Sequence, residues 1–165
     1  MKKKLVFLAC FMLHSPLTQA TALTETPPAC PTALIDQSTP LNWESVKGRV
    51  VLIDFWATWC PPCIKSMPFF NSLRRQYQSK DLEIIAVNID EDSELARQFL
   101  QIHPVEYKLA FDPNGDCPKA FDLKAMPSSY LVDKTGKIRK IFLGFREEDQ
   151  KEISNQVELL LREPN

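Results

Sequence analysis

Positions 49–63 of the chain read RVVLIDFWATWCPPC, an apolar run that leads directly into two cysteines three positions apart. The β-branched and apolar residues from Arg49 to Phe55 are typical of a central strand that is buried on both faces. From Pro61 onward the apolar residues recur with the period of a helix. They are Ile64, Met67, Phe70, Leu73 and Tyr77. The sequence therefore places Cys60 and Cys63 where a buried strand gives way to a helix.

A cysteine in the first turn of a helix has a reactive sulfur. The free N–H groups and the partial positive charge of the helix N-terminus stabilise the thiolate, which is the nucleophilic form. We expect Cys60 to attack, and Cys63, one turn further in, to be buried and to resolve the resulting mixed disulfide, so that the two form a redox-active disulfide. One alternative is a zinc site, but the other candidate ligands Cys30, Cys117 and His103 are scattered singly. A purely structural bridge between Cys60 and Cys63 would close too short a loop to stabilise much. We expect no metal and no cofactor.

Strands and helices alternate along the rest of the chain. Strands are predicted at 82–89, 107–111, 129–133 and 137–143, and helices at 93–102, at 117–121 and from Glu147. In the helix at 93–102 we expect Ser93 as the N-cap and Leu95, Phe99 and Ile102 on the inward face. This order of elements predicts an α/β fold with a central mixed β-sheet flanked by helices.

The first residues have the layout of a secretory signal peptide. Lys2, Lys3 and Lys4 precede an apolar run of nine residues at 5–13, and small residues at 20–22 offer a cleavage site. We predict a signal peptide at 1–22, a Thr-, Pro- and Ala-rich N-terminal arm at 23–40 and one domain at 41–165. The alternative is a membrane anchor, but the apolar run is about half of the ~20 residues that span a bilayer. We therefore expect export to a bacterial periplasm, where disulfides persist, with no stable membrane insertion after cleavage.

Composition excludes several classes of protein. The 165 residues contain 20 Lys and Arg against 21 Asp and Glu, so no broad basic surface for nucleic acid is expected. The four glycines lie far apart, which excludes a glycine-rich phosphate-binding loop. A hydrophobic fraction of 44% with 25% charged residues is ordinary for a globular protein and excludes wholesale disorder.

The segment from Asp54 to Cys63 resembles the active-site segment of the thioredoxin superfamily and, more narrowly, of the exported TlpA/ResA-like thiol–disulfide oxidoreductases. The similarity covers about residues 41–161. It continues at Met67-Pro68, at 87–90, at 126–133, at 136–138 and at Gly144. The resemblance implies a thioredoxin-like three-layer fold and dithiol exchange with protein thiols or disulfides. It also implies an upstream membrane electron donor, and as substrates apocytochrome c, copper-site assembly proteins or other exported proteins with unwanted disulfides.

The same resemblance gives roles to further residues. Met126 and Pro127 resemble the family's cis-proline loop, which lies against the cysteine pair and contacts the substrate backbone. Pro68 resembles the family's helix-kinking proline, with a simple helix break as the alternative. We expect Trp59, beside the first cysteine, to cover the disulfide and to contact partner proteins.

Asp54 is the sole charged residue between Val50 and Trp59. Burial of a carboxylate is costly and raises its pKa, which suits a proton acceptor, so we expect Asp54 to deprotonate Cys63. The alternative is an exposed carboxylate at the strand end. Many TlpA/ResA-like proteins have Asn at this position and a Glu three residues after the second cysteine, where this chain has Ser66. We therefore expect the acid–base function at Asp54, as in thioredoxin.

The direction of electron flow is predicted from the two residues between the cysteines. Pro61 and Pro62 lack N–H groups, which leaves the Cys60 thiolate less stabilised, the disulfide more stable and the couple more reducing. A reductase is therefore favoured over a disulfide-introducing oxidant. The rival class is a copper-handling or chaperone-like binding module that uses the cysteines as ligands, with Met67 and Met126 as further ligand candidates.

Cys30 and Cys117 lie outside the motif. In an exported protein they could pair as a structural disulfide that ties the N-terminal arm to the domain. Alternatively they are free thiols, or Cys117 is a small buried side chain.

Overall fold

The computed structural model describes residues 25–77 and 81–164, and the predicted signal peptide lies outside them. Seven strands occur in the described part of the chain. They are β1 (Cys30–Ile35), β2 (Thr39–Leu41), β3 (Val50–Trp56), β4 (Leu82–Asn88), β5 (Lys108–Phe111), β6 (Ser128–Val132) and β7 (Ile138–Leu143). The helices are α1 (Pro61–Tyr77), α2 (Ser93–Ile102), α3 (Asp116–Ala120) and α4 (Asp149–Arg162), with a short 3₁₀ helix at Trp43–Val46.

The strands form one mixed sheet in the order β2-β1-β5-β4-β3-β6-β7. The three inner strands β5, β4 and β3 run parallel, while β1 and β6 pair antiparallel at either side of them. The α/β class and the mixed sheet predicted from the sequence are confirmed. Because β3 and β4 are parallel and buried at every residue, both need helices on their two faces, which gives three layers.

The side chains of β3 alternate between two hydrophobic clusters. Leu52 and Trp56 point to the cluster that contains α1, α2 and α4. Ile53 and Phe55 point to the cluster formed with α3 and the 3₁₀ helix. Since successive side chains of a strand face opposite ways, Asp54 lies on the α1 side of the sheet.

The N-terminal segment differs from the expected loose arm. Residues 30–35 and 39–41 form strands β1 and β2, and β1 joins the main sheet through the pairs Leu34–Phe111 and Ile35–Ala110. The expectation of an arm at 23–40 and of a domain that begins at 41 is therefore wrong for these residues. The Pro- and Thr-rich composition misled because an edge strand tolerates proline, as at Pro40 in β2.

The inward face of α2 also differs from the prediction. Leu95 and Ile102 are 53% and 77% exposed, whereas Ala96 is fully buried and Phe99 packs against the core. The N-cap is Asp92, not Ser93, and its carboxylate accepts a hydrogen bond from the Glu94 N–H at 2.9 Å. Apolar residues at both 95 and 96 fit two helical faces, and the smaller alanine allows the closer approach to the sheet.

Helix α1 runs without a break through Pro68, which lies on its exposed face. The alternative of a simple helix break is therefore wrong. The buried face contains Met67, Phe70, Leu73 and Tyr77, as predicted, together with Cys63 and Ser66, while Ile64 is only half-buried.

Candidate active site

Cys60 and Cys63 lie at the junction of β3 and α1. The turn before α1 is held by a hydrogen bond of 3.2 Å from the Cys60 N–H to the Ala57 carbonyl. The Cys60 carbonyl accepts a second hydrogen bond, also of 3.2 Å, from the Ile64 N–H. The two sulfur atoms are bonded, at 2.02 Å. Cys60 keeps 4% of its surface exposed and Cys63 none. An incoming thiolate or disulfide can therefore reach the pair only from the Cys60 side.

The first turn of α1 offers few hydrogen-bond donors. Because its first two residues are Pro61 and Pro62, the first helical N–H belongs to Cys63. Within residues 25–77 and 81–164, no group donates a hydrogen bond to the Cys60 sulfur. A thiolate at Cys60 would thus depend on the helix dipole and on the single N–H group of Cys63.

Asp54 is a buried residue of β3, two positions before the end of that strand, with 3% of its surface exposed. In the sheet it lies between Ala86 of β4 and Ser129 of β6. The Ser129 hydroxyl donates a hydrogen bond of 2.6 Å to Asp54 Oδ1. Burial raises the pKa of Asp54 from its ordinary value of 3.8 to about 7, and the Ser129 hydrogen bond opposes part of that rise. The alternative of an exposed carboxylate is wrong.

Tyr107 shares the buried side of the sheet with Asp54. It is 8% exposed and packs edge-on against Phe70. Burial, and then the negative charge of Asp54, raise the pKa of the Tyr107 hydroxyl far above its usual range. Tyr107 therefore stays protonated at any pH at which Asp54 titrates. Nothing in the local pattern marked this residue beyond an aromatic at the start of a short predicted strand.

A second buried carboxylate holds the turn that precedes Cys60. Asp90 is 2% exposed and accepts hydrogen bonds from the Thr58 N–H at 3.0 Å and from the Thr58 hydroxyl at 2.8 Å. Its other donor is the Asn88 side-chain amide, at 2.6 Å. We did not predict this role. The sequence contained a signal for it, because Asp90 comes just after a buried strand. The carboxyl ends of neighbouring parallel strands lie at the same edge of the sheet, so an acid there lies close to the end of β3.

The loop before β6 adjoins the end of β3. The Met126–Pro127 peptide bond is cis. Phe55 pairs with Ser128, so Pro127 lies next to the end of β3 from which the Cys60 turn departs. The Pro127 carbonyl accepts a hydrogen bond of 2.8 Å from the Gly144 N–H.

The two larger side chains expected to contact partners differ in exposure. Met126 is half-buried and packs against both hydrophobic clusters. Trp59 is 62% exposed although it directly precedes Cys60. An exposed indole at this position leaves a large apolar surface available beside the cysteine that is accessible.

The structure also pairs Cys30 with Cys117, with a sulfur–sulfur distance of 2.03 Å across 87 positions of sequence. Both residues are buried, at 1% and 0% exposure. Asp112 strengthens the same junction, because its carboxylate accepts from the Cys117 N–H at 2.7 Å and from the Thr32 hydroxyl at 3.0 Å. This bond connects β1 to α3 and is separate from the Cys60–Cys63 pair.

Residues 25–77 and 81–164 contain no group of three His, Cys, Asp or Glu side chains placed to hold a metal ion. Among the helices of that same part, none has the length and apolar character needed to cross a bilayer.

The three-layer fold with a Cys-x-x-Cys pair at the start of its first long helix defines a thioredoxin-like protein. The family model described as Redoxin matches residues 21–160, and the chain belongs to this family. Its relatives include the thiol-disulfide oxidoreductase ResA of Bacillus thuringiensis subsp. konkukian, 36% identical over 112 residues. That match covers 68% of this chain and 65% of the relative, so it spans just under two thirds of the relative's length.

Solved structures show the same architecture. A Chlorobium tepidum protein, provisionally named thiol:disulfide interchange protein DsbE, superposes with a TM-score of 0.78 at 35% identity and covers 85% of this chain and 99% of its own. A Bacteroides thetaiotaomicron protein, provisionally named a protein disulfide isomerase, has a TM-score of 0.72 at 26% identity, with coverage of 86% and 93%. The chain is similar to these proteins over nearly the whole of their folded domains.

Proposed function

We propose that this protein is a periplasmic thiol–disulfide oxidoreductase that reduces disulfides in exported proteins. The observation that carries the proposal is the Cys60–Cys63 disulfide at the start of α1, reachable from the Cys60 side, together with the buried carboxyl group of Asp54 on the α1 side of the sheet. The names of the relatives, thiol-disulfide oxidoreductase and thiol:disulfide interchange protein, support the same class of reaction.

The reaction begins from the dithiol form. The Cys60 thiolate attacks one sulfur of a substrate disulfide, a bond forms between the two sulfurs, and the other substrate sulfur leaves as a thiolate that takes up a proton. Cys63 then loses its proton and attacks Cys60. The Cys60–Cys63 bond forms, the bond from Cys60 to the substrate breaks, and the second substrate thiolate departs and is protonated. Two electrons and two protons have passed to the substrate.

Asp54 would serve the second step as the proton acceptor. It lies on the α1 side of the sheet, the side on which Cys63 is buried, and Cys63 Sγ lies 4.0 Å from the carbonyl oxygen of the next residue, Phe55. A carboxyl group with a pKa of about 7 can both accept and return a proton near neutral pH. An exposed aspartate with an ordinary pKa is ionised at neutral pH and binds a proton too weakly to accept one from Cys63.

The surroundings of Cys60 favour the direction of reduction. The two prolines remove N–H donors from the helix start, so the Cys60 thiolate gains less stabilisation than in a helix with ordinary residues there. A less stable thiolate shifts the equilibrium toward the disulfide, which makes the dithiol a better reductant. An upstream dithiol donor must then reduce the Cys60–Cys63 disulfide after each cycle.

Partner proteins would bind where the cysteine pair meets the surface. Trp59 offers an exposed apolar face, and Met126 and Pro127 lie on the adjoining loop. Apocytochrome c and copper-site assembly proteins are the substrate classes we propose, since both carry cysteine pairs that must be reduced after export.

The reduction of insulin by dithiothreitol tests this function. We expect the wild-type protein to accelerate insulin precipitation and the Cys60→Ser variant to have no effect above the background of dithiothreitol alone. A redox titration against glutathione tests the direction, and a potential more oxidising than glutathione would favour the disulfide-introducing alternative. Absence of acceleration by the wild-type protein, together with stoichiometric copper binding that is lost in Cys60→Ser, would instead support the copper-handling class.

The role of Asp54 is tested by Asp54→Asn. We expect slower disulfide exchange near neutral pH with the fold intact, because the amide cannot accept the Cys63 proton. Asp112→Asn is the matched control, since it also alters a buried aspartate but one at the β1–α3 junction. Identical exchange kinetics of Asp54→Asn and the wild type from about pH 6 to about pH 9 would refute the role.

A further inference from the structure

Ser129 makes the sole hydrogen bond to the Asp54 carboxyl group within the described residues, at 2.6 Å to Oδ1. The two residues face each other across the β3–β6 pair, and both are 3% exposed. On the opposite side of Asp54, β4 places Ala86, whose methyl group offers no hydrogen bond. Among residues 25–77 and 81–164, the hydroxyl of Ser129 is therefore the one polar contact that can orient this carboxyl group.

The contact involves one of the two carboxyl oxygens. With Oδ1 held by the Ser129 hydroxyl, rotation of the carboxyl group is restricted, and Oδ2 has no hydrogen-bond partner among the described residues. Ser129 and Leu131 share the α1 face of β6, as Asp54 and Leu52 share that face of β3. Cys63 is buried in the same cluster.

We propose, building on the function proposed above, that Ser129 is a positioning residue, which holds Asp54 so that its free oxygen exchanges a proton with Cys63 and which sets the pH range of the resolving step. In that step the Cys63 S–H bond breaks and the proton moves to the ionised Asp54. The Cys63 sulfur bonds to the Cys60 sulfur, and the bond from Cys60 to the substrate breaks. The electron pair of that bond leaves with the substrate sulfur, which then takes a proton.

The groups of the other elements packed around Asp54 do not compete with Ser129 for this role. In the part of the chain that the structure describes, Tyr107 is the other titratable group that interacts electrostatically with Asp54, and it stays neutral because burial raises the pKa of its hydroxyl far above its usual range. Cys63, on α1, is the reaction partner itself. The residues of α4 that enter the cluster are apolar, namely Ile153, Val157 and Leu160. The hydroxyl of Ser129 therefore acts on Asp54 without a competing charge from these elements.

The chain offers a matched control in the adjacent residue. Ser128 is also buried in β6, but its hydroxyl donates to the Ala125 carbonyl at 2.8 Å and not to Asp54. Ser128→Ala and Ser129→Ala remove the same atom from neighbouring positions of one strand. Their loss of packing is similar, whereas only Ser129→Ala removes the hydrogen bond to Asp54.

Two measurements test the proposal. The first is the titration of the Asp54 carboxyl carbon by ¹³C NMR in the oxidised protein, with Asp54→Asn to assign the signal. The second follows the reduced protein after it is mixed with 5,5′-dithiobis(2-nitrobenzoate) in a stopped-flow instrument. The first release of thionitrobenzoate reports attack by Cys60, and the second release reports resolution by Cys63.

We expect Ser129→Ala to raise both midpoints, that of the Asp54 titration and that of the second release, by about one pH unit. Because ionised Asp54 is the acceptor, the second release then slows about tenfold near pH 6 and less than about twofold near pH 9. Ser128→Ala leaves both midpoints unchanged. If Ser129→Ala does not fold, Ser129→Thr and Ser129→Val provide an isosteric pair, of which only the valine variant shifts the midpoints.

Three results would overturn the proposal. Asp54 could titrate at the same pH in Ser129→Ala as in the wild type, both alanine variants could shift it equally, or its titration could move while the second release did not. None of these outcomes affects the exchange activity of Cys60 and Cys63. Failure of the proposed function is seen separately, as a wild-type protein whose second release is absent.

Discussion

The buried carboxyl group of Asp54 links stability to pH. Its pKa in the folded protein is about 7, against an ordinary value of 3.8 for an exposed aspartate. The folded state therefore holds a proton at pH values at which the unfolded chain has released it. The contribution of this proton to stability is complete below the unfolded pKa, falls as the pH rises above it, and is lost once the pH has passed the folded pKa.

Asp54→Asn removes this titration, so we expect the variant to lose less stability with rising pH than the wild type. The difference in the free energy of unfolding between the variant and the wild type should change in favour of the variant by up to about 4 kcal/mol between about pH 4 and about pH 8. Guanidinium unfolding of the oxidised proteins across this range measures it. Parallel stability curves for the two proteins would show that the carboxyl group titrates normally in the folded state.

The residues of the site differed in how far the sequence could predict them. The burial of Asp54 followed from its apolar neighbours on a single strand. The contact of Ser129 with Asp54 and that of Asp90 with Thr58 could not be predicted in this way. They join residues that are 75 and 32 positions apart in the sequence. Such contacts depend on the register between β3 and β6 and on where β3 and β4 end, which local pattern does not determine.

In the proposed reaction, helix α1 contributes through its first turn. Its dipole favours a thiolate at Cys60, whereas Pro61 and Pro62 withhold N–H donors from it. Pro62→Ala restores one donor while keeping a small side chain at a helical position. We expect the pKa of the Cys60 thiol to fall and the couple to become more oxidising, by about 30 mV for about 1.4 kcal/mol of thiolate stabilisation.

Redox titration of Pro62→Ala in glutathione and dithiothreitol buffers measures this change. Pro68→Ala is the matched control, because it replaces an exposed proline of the same helix away from the sulfurs. A potential that moves equally in both variants, or that becomes more reducing in Pro62→Ala, would contradict the role given to the missing N–H groups.

Long, strongly periodic elements were predictable, and short ones at the edge of the sheet were not. β3, α1 and β4 follow from continuous apolarity and from a clear helical period. β1 and β2 were missed because their stability comes from strand pairing, of β2 with β1 and of β1 with β5, and from tertiary packing, not from a local pattern. The face of α2 was misassigned because adjacent apolar residues, Leu95 and Ala96, fit two helical faces.

At the scale of the whole molecule, the two disulfides differ in the length of chain that each one closes into a loop. Cys60–Cys63 spans three positions and keeps 4% of Cys60 exposed, whereas Cys30–Cys117 spans 87 positions and is at most 1% exposed. Closing a long loop removes more conformational freedom from the unfolded chain than closing a short one. We therefore propose that Cys30–Cys117 is structural and holds β1, the strand next to the sheet edge, against α3.

The double variant Cys30→Ala/Cys117→Ala should lose about 2–5 kcal/mol of stability and retain insulin reduction at temperatures where it is folded. Cys60→Ala/Cys63→Ala is the control within the same protein, and we expect it to lose less stability and all activity. Denaturant unfolding and the insulin assay measure both. Loss of insulin reduction in a folded Cys30→Ala/Cys117→Ala protein would place the second disulfide in the reaction.

The central claim, exchange through Cys60 with Cys63 as the resolving residue, is tested most directly by trapping. Reduced Cys63→Ser and Cys60→Ser proteins are each mixed with insulin, and the adducts are mapped by mass spectrometry. We predict that Cys63→Ser accumulates a mixed disulfide between Cys60 and an insulin cysteine, whereas Cys60→Ser accumulates none. An adduct at Cys63 in Cys60→Ser, or no adduct in Cys63→Ser, would contradict the account.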